Sequence, residues 1–273
     1  MPTFKLTLAY DGTDFVGWQW QPGQRTVQEE LEKAIERITL QKTRCVASGR
    51  TDAGVHALGQ VVGFRSETWL DGPALCKAIN AELPEDMVVF EIATTYDDFH
   101  PIRDALRKRY RYLIQDGRPR DIFDRRYVWH LYRRLDVEAM AEAAKALVGK
   151  HDFVSFQTSG SRRLTTERTV LDLLVERRWA ELTDRVVIEV EADGFLYNMV
   201  RNIVGTLVEV GKGKQPVTWP AEVIAKRDRR AAGMTAPAQG LYLIGVEYGE
   251  NSECGLQPSD CGQQQVEDEA ELE

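Results

Sequence analysis

The order of strand-forming and helix-forming segments constrains the fold of this chain more than any other feature. Two long strands are predicted in direct succession, over residues 168–179 and 186–192. Along the chain, such hairpin-like successions outnumber the strand–helix–strand crossovers that build parallel sheets. The sequence therefore predicts an α+β fold with largely antiparallel sheets.

Shorter segments complete this pattern. Further strands are predicted over residues 3–10, 60–65, 87–93, 109–114, 127–131 and 241–248. Helices are predicted after Thr26, Pro73 and Asp136, over about residues 196–210, and from about Pro220. Thr26 with a glutamate three residues later is a capping-box pattern, and Asp136 is a favourable N-cap residue.

A change of composition near Pro101 divides the chain. The 273 residues suffice for two lobes that share a cleft, and the sequence turns basic at this point. We expect an N-terminal α+β lobe over residues 1–101 and a C-terminal α+β lobe over residues 102–249. Residues 250–273 are polar and acidic, and we expect a disordered tail there.

The net charge of −8 conceals an uneven distribution of charge. Residues 250–273 contain eight acidic and no basic side chains, so residues 1–249 sum to zero. From Arg103 to Arg134, eleven Lys or Arg against four Asp give a net charge of +7 over 32 residues. A locally positive surface of this kind suits a nucleic-acid backbone, and a solvated protein face is the alternative.

Several classes of protein are disfavoured. No apolar run approaches the roughly 20 residues that cross a membrane, and the N-terminus lacks a signal-peptide core, so we expect a cytoplasmic protein. The four cysteines and four histidines are scattered, without the spacing of a disulfide framework or a metal site. Phosphate-binding glycine loops and dinucleotide fingerprints are also missing, so any chemistry must run on side chains alone.

The segment SGRTDAGVH at residues 48–56 is the strongest candidate for chemistry. Its glycines bracket Arg50 and Asp52, and glycine lets the backbone approach a ligand closely. An arginine and an aspartate two residues apart in such a loop can face one cleft. The alternative for Asp52 is an ordinary turn or cap residue.

A basic and aromatic strand supplies a second candidate. Residues 107–112 read RKRYRY, and on a strand Tyr110 and Tyr112 share one face while the arginines share the other. A tyrosine on a cleft-facing sheet can stack on a flipped RNA base. The alternative is that both tyrosines pack in the core and the arginines are solvated.

Arg201 lies at the edge of the apolar stripe of the helix predicted over residues 196–210. From that edge its side chain can extend into solvent, which is the commoner arrangement. It can also reach into a cleft, pair with a carboxylate and keep that carboxylate ionised.

Together these motifs resemble a known family. The sequence GRTDAGVH at residues 49–56 resembles the signature of the tRNA pseudouridine synthase A family. Further similar segments follow in the family's order: AYDGT at 9–13, TVQ at 26–28, RYRY at 109–112, FL at 195–196, MVRN at 199–202, APA at 236–238 and GL at 240–241. The resemblance covers roughly residues 3–249, and the motifs are jointly specific.

This resemblance implies two α+β lobes, each around an antiparallel sheet, with the active-site cleft between them. It implies a homodimer that isomerises uridine to pseudouridine at positions 38, 39 and 40 of the tRNA anticodon stem-loop, without cofactor or metal. Asp52 matches the catalytic aspartate, and Tyr110 matches the tyrosine that stacks on the target uracil. Arg201 matches the arginine that pairs with the aspartate, and Arg50 matches the arginine associated with base flipping.

In one place the chain departs from the family. After Phe99 and His100 the family usually continues Ala-Arg-Phe-Ser-Ala, whereas residues 101–105 read PIRDA. Ile102 therefore replaces an arginine, although Arg103 stands next to it. The change puts a backbone or RNA contact in doubt, and not the chemistry.

Two other functions fit part of the pattern. A non-catalytic RNA-binding protein would explain the basic stretch and Tyr110, but it needs no aspartate beside an arginine in a glycine-bracketed loop. A metal-dependent nuclease or acidic hydrolase needs a second carboxylate or a metal-ligand cluster near Asp52, which the sequence does not show. For a synthase, Asp52 can attack C1′ of the ribose, attack C6 of the uracil or act as a base, and the group that removes the C5 proton is undetermined.

Overall fold

A computed structural model describes residues 1–117, 119–158, 165–179 and 184–249. The first part of the chain forms β1 (Thr3–Tyr10), α1 (Val27–Thr39), β2 (Val46–Ala47), β3 (His56–Arg65), α2 (Gly72–Glu82) and β4 (Met87–Thr95). The second part forms β5 (Ala105–Asp116), β6 (Trp129–Leu131), α3 (Val137–Ala144), β7 (Gly149–Asp152), β8 (Glu167–Trp179), β9 (Asp184–Ala192), α4 (Met199–Gly211), α5 (Trp219–Lys226) and β10 (Leu241–Tyr248).

All the predicted strands and helices are present, with shifts of a few residues at their ends. The short strand β7 was not predicted, because four residues are too few for an alternating pattern. The predicted tail at residues 250–273 lies outside the described residues.

The described strands form one sheet in the order β4-β1-β3-β10-β5-β9-β8-β7, with β2 beside β3 and β6 beside β5. All pairs are antiparallel except β10 with β3 and β5 with β6. The prediction of an α+β fold with largely antiparallel pairing is therefore confirmed. The separate sheets expected for the two lobes are instead halves of this one sheet, because β10 pairs with β3 on one side and with β5 on the other. The lobe boundary near Pro101 stays a prediction.

Helix caps follow the predicted pattern. The Thr26 hydroxyl accepts a hydrogen bond from the Glu29 N–H at 3.3 Å, and the Asp136 carboxylate accepts one from the Ala139 N–H at 2.9 Å. Each cap satisfies a backbone N–H that has no partner within its own helix. The helices pack against the sheet and against each other, α2 on β4 and α1, and α3 on β8 and α4.

Helix α4 is almost entirely buried, and it positions part of the functional site. A side chain on Gly205 would lie 1.7 Å from the Met234 carbonyl oxygen, so only glycine lets the segment at Met234 pass directly against this helix. Two residues later, the Ala236 N–H donates to the carbonyl oxygen of Arg201 at 3.1 Å. The close approach therefore brings the segment at 234–236 alongside Arg201.

Among the residues that the structure describes, no helix has the length and apolar character needed to cross a membrane.

Candidate active site

A cleft of about 1400 Å³ opens between the loop after β2, strand β5 and the segment that leads into α4. Its walls come from both sides of the predicted lobe boundary. All four residues singled out in the sequence line it: Arg50, Asp52, Tyr110 and Arg201.

Asp52 and Arg201 form an ion pair inside this cleft. The Arg201 Nη1 atom lies 3.0 Å from Asp52 Oδ2, and the two side chains are 17% and 31% exposed. The same Nη1 donates to Asn198 Oδ1 at 2.9 Å, and Nε donates to the Ala236 carbonyl oxygen at 2.7 Å. Three acceptors therefore fix the guanidinium plane. Of the two alternatives open for Arg201, the structure shows the pairing and not the extension into solvent.

Asn198 is a site residue that the sequence patterns did not single out. It precedes α4 in the left-handed conformation, with φ of 60°, and its side chain makes no capping hydrogen bond to the helix. Instead it accepts from Arg201 and donates to the Thr158 hydroxyl at 3.1 Å. Asparagine adopts this left-handed conformation more readily than most residues, so it can stand before the helix while its amide faces Arg201.

The loop that carries Asp52 is held by the segment after β1. The Trp18 N–H donates to the Thr51 carbonyl oxygen at 3.0 Å. A side chain on Gly12 would lie 2.0 Å from the Val55 carbonyl oxygen, and Gly17 has φ of +91° beside Thr51. Glycine at these two positions therefore permits two backbones to touch. From the sequence alone, Gly12 and Gly17 predict a loop after β1 but not this contact.

His56 anchors the far end of the same loop. The Gly12 N–H donates to His56 Nδ1 at 3.1 Å, Asp11 Oδ1 lies 3.1 Å from the same nitrogen, and Nε2 faces the Arg126 carbonyl oxygen at 3.3 Å. Tyr242 stacks on the imidazole at 4.8 Å. Burial lowers the pKa of His56, and the neighbouring Asp11 carboxylate offsets part of that shift. His56 is therefore a neutral packing group near pH 7.

Tyr110 and Tyr112 have different environments although they share one face of β5. Tyr112 is fully buried and its hydroxyl donates to the Pro237 carbonyl oxygen at 2.7 Å. Tyr110 is 8% exposed, lines the cleft and packs edge-on against Phe195 with ring centroids 5.0 Å apart. Burial raises the pKa of the Tyr110 phenol well above its ordinary value, so this ring stays neutral. Tyr112 is therefore a core residue, whereas Tyr110 faces the cleft.

The arginines of β5 lie on the opposite face and are neutralised there. Arg109 lies 2.8 Å from a Glu191 carboxylate oxygen, and Arg111 lies 2.8 Å from one of Glu189. Arg107 pairs with the same row of carboxylates and with Glu247. This part of the basic stretch therefore does not form the positive surface considered from the sequence.

Arg50 differs from these arginines. Its side chain is exposed in the cleft, and in the part of the chain that the structure describes it has neither an ion pair nor a hydrogen-bond partner. On the adjoining wall, the Lys108 ammonium donates to the Ser48 carbonyl oxygen. Arg50 is thus a cation available to an anionic ligand.

Ile102 also lines the cleft, where its side chain is 48% exposed. The neighbouring Arg103 is not among the residues that line the cleft, and its guanidinium forms ion pairs with Asp98 and Asp104. Glu167 and Asp193 are further carboxylates on the cleft walls. Within the described ranges, no group of three His, Cys, Asp or Glu side chains is arranged to hold a metal ion.

Comparison with known proteins identifies the family. A family profile described as tRNA pseudouridine synthase matches residues 7–101 and 143–249. The tRNA pseudouridine synthase A of Syntrophomonas wolfei is 47% identical over 252 residues, which cover 92% of this chain and 100% of the relative. Proteins of the same name from Thermoanaerobacter sp. strain X514 and Myxococcus xanthus are each 44% identical over 248 residues, or 91% of this chain, and are themselves covered to 100% and 92%. The resemblance seen in the sequence is confirmed, and the chain belongs to the tRNA pseudouridine synthase family.

Proposed function

We propose that this protein is an isomerase that converts uridine to pseudouridine in tRNA, at positions 38, 39 and 40 of the anticodon stem-loop. The observation that carries the proposal is the Asp52–Arg201 ion pair, which lies in a cleft that Tyr110 and Arg50 also line. Membership of the family and the names of the relatives support the activity on tRNA.

The reaction is an isomerisation and needs no outside reactant. The N1–C1′ bond breaks, the uracil turns, a C5–C1′ bond forms, the proton at C5 is lost and N1 regains one. Asp52 acts as the nucleophile, and a covalent intermediate divides one difficult step into easier ones.

Arg201 serves this chemistry by holding the Asp52 carboxylate in one orientation. A guanidinium that donates to three acceptors at once has little freedom to move, so the Asp52 oxygen paired with it is held in one direction. Preorganised charge of this kind costs no rearrangement when the reaction occurs.

The cleft suits a nucleotide that has left its helix. Unstacking a base costs a few kcal/mol, and Arg50 is available to fill the vacated space or contact phosphate. Tyr110 offers a neutral aromatic ring in the cleft on which the uracil can stack. The volume of about 1400 Å³ exceeds that of most small-molecule pockets, which suits a segment of RNA rather than a free nucleoside.

The resemblance supports two further proposals, a homodimer that binds tRNA across both subunits and a cytoplasmic location. Light scattering of the purified protein, alone and with tRNA, tests the first. A mass of two chains is expected, and a single chain of 31.0 kDa that binds and modifies tRNA would contradict it.

Mapping of the modified position tests the function directly. Unmodified tRNA transcripts that carry uridine at 38, 39 or 40 are incubated with the protein, with and without EDTA, then treated with a carbodiimide that marks pseudouridine and read by primer extension. New stops at these three positions are expected. Transcripts with cytidine at the same positions serve as controls. Binding without stops favours the RNA-binding alternative, and RNA cleavage that EDTA abolishes favours the nuclease.

A further inference from the structure

Four polar side chains lie buried directly beneath the loop that carries Arg50 and Asp52. The Tyr10 hydroxyl and the Thr51 hydroxyl are 2.8 Å apart. Gln60 Nε2 donates to the Gly49 carbonyl oxygen at 2.7 Å and to the Tyr10 hydroxyl oxygen at 3.4 Å. The Ser48 hydroxyl donates to Gln60 Oε1 at 2.7 Å. Tyr10, Ser48, Thr51 and Gln60 are all less than 9% exposed and form what we call the loop network.

The loop network joins the rigid sheet to the residues around the reactive groups. Tyr10 is the last residue of β1, and Gln60 lies within β3, the strand paired with it. Their partners on the loop are residues 48, 49 and 51, which flank Arg50 and immediately precede Asp52. The loop is therefore fixed to two neighbouring strands through side chains.

The Tyr10 hydroxyl has two partners in the loop network. Gln60 Nε2 donates to its oxygen, and in its pair with Thr51 either hydroxyl can be the donor. Burial raises the pKa of Tyr10 to about 12, so the hydroxyl keeps its own hydrogen at physiological pH. Each member of the loop network therefore has a defined partner.

Stability alone does not account for these four residues. A buried polar network that is replaced by apolar groups of similar shape is often as stable as before, because burying polar groups costs free energy that their hydrogen bonds only offset. What a satisfied network contributes is a single geometry. Catalytic groups must be held to within about 0.5 Å, and an error of about 1 Å can reduce the rate about 100-fold.

We propose that Tyr10 and Gln60, through Ser48 and Thr51, position Arg50 and Asp52 for reaction without contacting the substrate. The inference rests on the proposed function and deepens it. Among the described residues that line the cleft, neither Tyr10 nor Gln60 appears, which agrees with an indirect role. They are positioning residues.

Two variants test the proposal. Tyr10→Phe removes one hydroxyl and keeps the ring in its packing against Phe15 and Trp18. Gln60→Met removes both of the Gln60 hydrogen-bonding groups at similar volume. Ser155→Ala is the matched control, since it removes a buried hydroxyl that donates to the Val223 carbonyl oxygen at 2.7 Å, outside the cleft walls.

The measurements are kcat and KM for tRNA together with the thermal unfolding midpoint. We expect Tyr10→Phe and Gln60→Met to lower kcat about 10- to 100-fold and to leave KM within about twofold of wild type. The reason is that tRNA still binds, but Arg50 and Asp52 are no longer held in the reactive position. Tyr10→Phe should unfold no earlier than Ser155→Ala. A kcat for Tyr10→Phe within about twofold of that of Ser155→Ala, or a loss confined to KM, overturns the proposal. If Gln60→Met fails to fold, Tyr10→Phe alone decides.

The same experiment separates this inference from the proposed function. If wild-type protein produces no pseudouridine in any tRNA, the function is wrong and the loop network has no reaction to serve. If wild type and Tyr10→Phe are equally active, the function stands and the inference fails.

Discussion

Replacement of Arg201 by lysine separates the charge of this residue from its shape. Lysine retains the positive charge, but its ammonium is a point charge and cannot donate in one plane to Asp52, Asn198 and the Ala236 carbonyl oxygen together. The Arg201–Asp52 hydrogen bond is 3.0 Å long, charge-assisted and largely shielded from solvent. Such a bond is worth about 1.5–3 kcal/mol.

If the full value is realised in the transition state, Arg201→Lys lowers kcat about 10- to 150-fold, since each 1.36 kcal/mol of barrier is about a factor of ten. Arg201→Ala should lose at least as much and should regain part of it when guanidinium ion is added at non-denaturing concentration. Single-turnover rates with enzyme in excess over tRNA isolate this step from binding. Arg227→Ala, which breaks an exposed ion pair with Asp152, is the control and should react like wild type.

The reasoning is refuted if Arg201→Lys reacts within about threefold of Arg227→Ala, because the charge alone would then suffice. It is refuted equally if Arg201→Ala weakens tRNA binding without slowing the bound complex. In that case Arg201 would hold RNA and not Asp52.

Three other perturbations have defined outcomes. Gly12→Ala should displace the loop that carries the carboxylate and lower both activity and the unfolding midpoint, whereas Gly245→Ala, where a side chain meets open space, should do neither. Ile102→Arg should tighten tRNA binding and make the slope of the logarithm of the binding constant against the logarithm of salt concentration steeper by about 0.9. Leu40→Arg, on an exposed surface outside the cleft, should leave this slope unchanged. Equal slopes for the two variants would contradict a contact in the cleft. Burial lowers the pKa of His56 below the ordinary 6.5, so as pH falls through this value the unfolded chain takes up a proton that the folded chain refuses, and stability decreases. Between pH 7 and pH 5, the free energy of unfolding should therefore decrease less for His56→Asn than for wild type. Equal decreases in the two proteins would contradict this prediction.

The elements of this fold were predictable because their patterns are local. Alternation of apolar and polar residues indicated strands, and Thr26 and Asp136 marked the starts of two helices. The insertion of β10 between β3 and β5 was not predictable, because it depends on pairing between segments about 185 residues apart in sequence. That pairing is what makes one sheet out of the two that were expected.

Arg50, Asp52, Tyr110 and Arg201 were predictable from the sequence, but their contacts were not. Asp52 and Arg201 are 149 residues apart, and only folding shows that they touch. The alternation along β5 correctly separated Tyr110 from Arg109, but it gave no information about the glutamates that neutralise the arginines. Gln60 was missed because a polar residue within a predicted strand is expected to face solvent. Only the structure shows that this glutamine is fully buried beside the loop.

Release of tritium from RNA tests the central claim most directly. A tRNA transcript with C5-tritiated uridine in its anticodon stem-loop is mixed with wild-type protein or with Asp52→Asn, which keeps the shape of the side chain and removes its charge. The account predicts release by wild type in the presence of EDTA and none above background by Asp52→Asn, although the variant still binds tRNA. Release by Asp52→Asn at the wild-type rate would contradict the account, because the carboxylate would then take no part in the reaction.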